Sequence, residues 1–133
     1  TDSVGPVTVL ASVAIGSLAA AALAVNNHRD IAHDRLVGRR TFAVTFGESG
    51  SQALYSTLLL APYALLPVMA WMAAAPALLL PLLSLPVALQ LRQAFINCPR
   101  GRAFNEVLFR TFRLELWFAA LLSAGALLGR ILA

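Results

Sequence analysis

The chain has 133 residues, of which 59% are hydrophobic and 12% charged, and its mean hydropathy is +0.78. Soluble domains carry about 45–50% apolar and about 25% charged residues, so the composition excludes a disordered tail and argues for a bilayer as solvent. The net charge of +4 and the pI near 10.6 would suit nucleic acid, but the ten basic residues, all arginine, fall between long apolar runs, so no nucleic-acid partner is expected.

The chain opens at Thr1 without a basic leader, which lacks the pattern of a secretory signal and suggests a processed, truncated or incomplete chain. The first uncharged run, Val7 to Val25, would span roughly 30 Å as a helix, the thickness of a hydrocarbon core. Further runs lie at about 53–72, 76–91 and 114–128. Each is predicted to be a transmembrane helix, because backbone polar groups in lipid must be satisfied within the segment. The fold class is therefore all-α, a single membrane-embedded bundle of four spans. Loops at about 26–51 and 92–113 hold nine of the arginines, with a short turn near Ala73–Ala75 between the middle spans. Both loops then share one side, which the positive-inside rule makes cytoplasmic, in a multi-pass inner (plasma) membrane protein with both termini outward. Trp71 and Trp117 are placed at span ends as interfacial aromatics. Ser12, Gly16, Ala20 and Ala24 form a small-residue seam, and Gly125 and Gly129 a GxxxG pair expected to serve packing inside the bundle. Pro62, Pro67, Pro76, Pro81 and Pro86 should kink their helices or unravel a turn.

The informative segment begins where the first span ends. If the helix continues through Asp34, then Asn27, Asp30 and Asp34 fall within an arc of about 60°. Carboxylates at i and i+4 repel each other, and a helix C-terminus disfavours both. A cation between them would remove both penalties. Oxygen ligands suit Mg²⁺, which takes one or two carboxylates and completes its shell with water and phosphate oxygens. Arg39 and Arg40, just downstream, suit a phosphate. A solvated interfacial loop, its acids offset by Arg29 and Arg35, fits the same spacing.

The longer string is Asn26-Asn27-x-Arg29-Asp30-x3-Asp34-x3-Gly38-Arg39-Arg40-Thr41-x-Ala43-Val44-x2-Gly47. It closely resembles the second Asp-rich motif of the 1,4-dihydroxy-2-naphthoate polyprenyltransferases, in the UbiA superfamily of intramembrane prenyltransferases. Arg39 stands for a family lysine, Phe42 and Phe46 for leucines, Thr45 for an arginine, and His28 for an apolar or tyrosine residue. The stretch Asn105-x2-Leu108-x2-Thr111-x2-Leu114 also looks like the family near its last helix. The resemblance implies the last four helices of a nine-helix bundle, and an enzyme that transfers a polyprenyl chain from its diphosphate to an aromatic acceptor such as dihydroxynaphthoate, in menaquinone biosynthesis. It implies Mg²⁺ as cofactor, held by Asn27, Asp30 and Asp34, with the two carboxylates catalytic. Arg39 and Arg40 would contact the diphosphate, and Asn26, Arg29 and His33 would stand behind these ligands. The family's first Asp-rich motif does not occur in this sequence, so the chain reads as the C-terminal half of such an enzyme, partnered by an N-terminal half. A non-catalytic membrane remnant or assembly subunit is the competing reading. A small transporter-like bundle ranks below both, because no repeat or midplane charge pair supports it.

The remaining polar residues carry less. His28 and His33, about 140° apart on a helix, make a poor zinc pair. Glu115 is expected to snorkel beside an arginine, Cys98 to be a free thiol without a role, and Asn105 with Glu106 to cap a helix. Loop two is also basic enough to attract anionic lipid head groups.

Overall fold

A proline in the first turn takes nothing from a helix, since its missing N–H has no intrahelical partner there. Helix α1 starts in this way and spans Pro6–Arg29. The computed structural model describes residues 5–98 and 103–132, with side chains to residue 129. The short helix α2, Ile31–Leu36, follows, then α3, Phe42–Ala73. A 3₁₀ segment, Pro76–Ser84, leads into α4, Leu85–Ile96, and α5, Ala103–Leu132, closes the chain. No strand occurs among the described residues. Four helical stretches are long and apolar enough to cross a membrane: Pro6–Arg29, Phe42–Ala73, Pro76–Ile96 and Ala103–Gly129.

These stretches contain the four expected spans but extend beyond them. Most of 26–51 and 92–113, expected as loops, is helical. The physical reason is that charged side chains end an apolar run without ending a helix, since arginine stems lie along the helix while their heads reach water. Arg92, Arg110 and Arg113 all sit within helices, whereas Arg100 and Arg102 lie outside the described residues. Trp117 consequently lies in the middle of α5 rather than at its end, while Trp71 stands near the end of α3 as expected; both are exposed.

One apolar core joins all the long helices, with Leu18, Leu59, Leu66, Met69, Leu91 and Phe118 among its fully buried side chains. On α1 the buried stripe is Ala14, Leu18, Ala21, Val25 and His28. The Ser12–Gly16 part of the expected seam is instead exposed, and a Cβ on Gly16 would meet nothing within 4 Å. The GxxxG pair does pack inside. A Cβ on Gly125 would collide with the backbone carbonyl of Ala77, lying 2.9 Å from its carbon, and one on Gly129 would come 3.1 Å from the Ala75 Cβ. Glycine at 125 therefore lets α5 lie directly on the 3₁₀ segment.

The prolines act in two ways. In the third span Pro76 and Pro81 lie within nine residues of 3₁₀ helix, a tighter winding seldom sustained for so long, and Pro86 stands in the first turn of α4. In α3, Pro62 and Pro67 lie inside continuous helix, and the break falls earlier, at Gly47 (φ 75°, ψ −172°). Pro62 cannot donate to the Leu58 carbonyl four residues back. That carbonyl accepts instead from the Ser17 hydroxyl of α1, at 2.6 Å. The turn after α3 closes with Ala74 in the left-handed region, its N–H donating to the Trp71 carbonyl at 3.3 Å and that of Ala75 to Ala70 at 3.0 Å.

Ser17→Ala should lower unfolding free energy in detergent micelles by about 1 kcal/mol, since the Leu58 carbonyl then has no partner. Gly125→Ala should remove about 2 kcal/mol by overpacking, while Gly16→Ala should not destabilise the protein. Equal effects at the two glycines would contradict this packing.

Candidate functional site

The motif lies where α1 gives way to α2. The two helices meet at Asp30, whose φ of −96° and ψ of 12° break regular winding. The hydrogen bonding nevertheless runs through the joint: the Asp30 N–H donates to Asn26 at 3.1 Å, and the Asp34 N–H to Asp30 at 2.8 Å. The single helix expected through Asp34 is thus two helices, yet the i, i+4 relation of Asp30 and Asp34 survives.

Gly38 then ends α2. It adopts φ 74°, a conformation that a Cβ disfavours. The N–H of Gly38 donates to Arg35 at 3.3 Å, and that of Arg39 to the Asp34 carbonyl at 2.8 Å. This pair of bonds is a Schellman stop. Three residues later Thr41 caps α3, its hydroxyl accepting from the Val44 N–H at 3.2 Å. Arg39 and Arg40 therefore fill a two-residue link between a helix stop and a helix start, both exposed.

The two carboxylates have different surroundings. Asp30 is half-exposed and faces Arg29, whose Nε donates to Oδ1 at 2.9 Å and Nη2 to Oδ2 at 3.2 Å. That hydrogen bonding holds the Asp30 carboxyl below the usual aspartate range; burial opposes it, and the charges of Arg29, His33 and Arg39 reinforce it. Asp34 is only 3% exposed, and among the described residues its side chain makes no hydrogen bond or ion pair. Asn26 and Asn27 are half-buried and His33 is exposed. No three of His, Cys, Asp and Glu converge on a metal-sized site among the described residues.

Behind the motif stands an aromatic wall. His28 is buried, with ring centroids 4.8 Å from Phe95 and 5.1 Å from Phe104, and Tyr55 lies 4.3 Å from Phe95. An apolar or aromatic residue would fit this position, which accounts for His28 standing where the motif tolerates such residues. A cavity of about 330 Å³ opens beside it, lined by His28, Arg29, Arg35, Glu48 and Phe104.

The expected cap role of Asn105 gives way to a different one. Its Oδ1 accepts from Arg29 Nη1 at 2.6 Å, tying α5 to the end of α1. Thr111 exchanges a hydrogen bond of 2.9 Å with the Tyr55 hydroxyl, tying α5 to α3, and Leu114 is buried. The three-residue spacing of Asn105, Leu108, Thr111 and Leu114 was the available signal, since it marks one helix face. No arginine pairs with Glu115 among the described residues. Cys98 is a half-buried thiol outside any disulfide, and burial and then Glu106 raise its pKa.

The UbiA prenyltransferase family model matches residues 1–114. The chain belongs to the UbiA prenyltransferase family. It is 40% identical over 91 residues to UbiA prenyltransferase domain-containing protein 1 of Mus musculus, an overlap covering 68% of this chain and 26% of that protein. The Homo sapiens protein of that name is equally similar, with 25% of its length covered. The 1,4-dihydroxy-2-naphthoate octaprenyltransferase of Bacillus subtilis (strain 168) is 30% identical over 135 residues, 96% of this chain and 42% of that enzyme. The chain thus spans about a quarter of the length of the mouse and human relatives. No solved structure gives a significant match. Family membership agrees with a membrane-spanning helical fold.

The lowered Asp30 pKa sets a pH dependence. An unfolded aspartate titrates near about 3.9, so the stabilisation from the Arg29–Asp30 pair is present above that value and lost as pH falls through the lower folded one. Asp30→Asn should therefore be less stable than wild type at pH 7, and the gap should begin to narrow below about pH 4 and keep narrowing as pH falls further in thermal unfolding.

Proposed function

We propose that these residues form the diphosphate-binding half of an intramembrane aromatic prenyltransferase, with Asp30 and Asp34 as Mg²⁺ ligands and Asn27 completing that face. One observation carries the reading: Asp34, a residue only 3% exposed, has no hydrogen-bond or ion-pair partner for its carboxylate among the described residues, one helical turn beyond Asp30. An unpaired carboxylate one turn from another fits a hard cation that accepts one or two carboxylates. Bound there, Mg²⁺ would supply neutralisation of the charge that develops on the departing diphosphate.

The chain's own residues do the rest. Arg39 and Arg40, exposed in their two-residue link, reach the diphosphate with planar forks suited to phosphate oxygens. Arg29, anchored by Asn105, holds the Asp30 carboxylate in place and ionised. Asn26 and His33 flank this face. The apolar spans shelter the prenyl chain, and their walls exclude water from the allylic cation that the aromatic ring attacks. The acceptor proposed is 1,4-dihydroxy-2-naphthoate, in menaquinone biosynthesis. Support comes from the name of the Bacillus subtilis relative and from an overlap that covers nearly all of this chain. The motif of the other carboxylates is absent from these residues, so a complete site needs an N-terminal half. The arginine-rich ends are proposed to face the cytoplasm across the plasma membrane.

In the complete enzyme, Asp30→Asn and Asp34→Asn should each lower Mg²⁺-dependent transfer from polyprenyl diphosphate to dihydroxynaphthoate by about 100-fold or more. Arg39→Gln combined with Arg40→Gln should raise the KM for the donor. Transfer that survives both aspartate changes would overturn the metal role, and a silent chain in every pairing would favour the remnant reading.

A further inference from the structure

Away from the motif, two cavities run into one another along the face where α3 meets α4. The first, about 410 Å³, is polar: Ser49, Gln52, Ser56, Thr57 and Arg92 line it. The second, about 490 Å³, shares Ser56, Thr57 and Arg92, and continues along Leu60, Ala61, Ala64 and Leu89. Together they make one groove with a polar head and an apolar tail. From Ser49 to Ala64 the helix rises roughly 22 Å, longer than the roughly 15 Å hydrocarbon depth of one leaflet.

Arg92 sits at the junction. It lies one turn from the end of a helix long and apolar enough to cross a membrane, where an arginine reaches the level of lipid head groups. Its Nε donates to the Ser56 hydroxyl at 3.0 Å, which fixes the guanidinium against α3. Of the five N–H donors of arginine, the others make no hydrogen bond among the described residues. Among the described residues, no carboxylate lines either cavity. The groove therefore offers, among the described residues, one positive charge, hydroxyl and amide donors, and an adjoining apolar trough.

We propose that this groove binds one anionic phospholipid of the surrounding bilayer. The phosphodiester sits on Arg92, with Gln52 and Ser49 within the same polar head, and an acyl chain lies along Leu60, Ala61, Ala64 and Leu89. A single fixed guanidinium matches the single charge of a phosphodiester. A prenyl diphosphate is the poorer fit, because its higher charge calls for a metal and the groove has no carboxylate to hold one. Basic pockets between membrane helices commonly take anionic head groups.

The test is lipid retention. The protein is reconstituted in nanodiscs of equimolar phosphatidylcholine and phosphatidylglycerol, then released into detergent for native mass spectrometry. Wild type should retain phosphatidylglycerol over phosphatidylcholine by about fivefold, and Arg92→Gln should bring that ratio to about one. Arg113→Gln, an exposed arginine outside the groove, should keep the wild-type ratio. Equal loss in the two variants would reveal diffuse attraction to basic surface and overturn the site. Displacement by inorganic phosphate as readily as by short-chain phosphatidylglycerol would do the same, since the tail would then contribute nothing. Ala64→Phe, at an exposed position, fills the trough without touching the charge and should shorten phosphatidylglycerol retention; unchanged retention there would sink the proposal even if Arg92→Gln failed to fold.

Discussion

A backbone carbonyl with no donor is the constraint on which this architecture turns. In hydrocarbon an unanswered carbonyl is unfavourable, and Pro62 creates one in α3 because it has no N–H to donate. The Leu58 carbonyl is answered by Ser17 from another helix. The Pro81 carbonyl accepts from the Ser84 hydroxyl at 2.7 Å, and Ser84 in turn meets Tyr63 of α3 at 2.8 Å. Pro62 thus helps bind α3 to α1 through a carbonyl that a proline-free helix would have satisfied itself. The 3₁₀ segment is tied to α3 by the Ser84 and Tyr63 hydroxyls.

That fixation carries through to the motif. With α1 held against α3, its last turn meets α4 and α5 around His28, Tyr55, Phe95 and Phe104. The rings leave little freedom for the end of α1. Arg29 and Asn105 add a polar tie immediately above them. The Schellman stop at Gly38 and the Thr41 cap then fix where the arginine pair begins and ends. Packing in the bundle and turn chemistry at its rim therefore combine to position charged groups that no single element could hold.

Much of this was legible in the sequence, unevenly. The uncharged interiors of the four spans were plain, because a run without charge has few homes outside lipid. Their ends were not, since Arg92, Arg110 and Arg113 continue helices that hydropathy stops short of. Gly125 was readable as a packing glycine, but the partner it admits, the backbone of Ala77, belongs to a 3₁₀ winding that no periodicity announced. The small-residue seam of α1 misled at Ser12 and Gly16, because small side chains show only that close approach is allowed. Asn27, Asp30 and Asp34 were visible by spacing. The break at Asp30, its pairing with Arg29 and the tie to Asn105, 76 positions away, depend on tertiary placement and left no local trace. The roles assigned to Asn27, Asp30, Asp34, Arg39 and Arg40 rest on the buried, partnerless state of Asp34 and on the motif's likeness to the family.

The Arg29–Asp30 pair also bears on how such a chain enters a bilayer. A lone aspartate beside an emerging span resists partitioning, and a lone arginine does so as well. Adjacent in sequence and joined by two hydrogen bonds, they travel as a dipole of no net charge. Insertion of α1 into the bilayer therefore carries no net charge at Arg29 and Asp30.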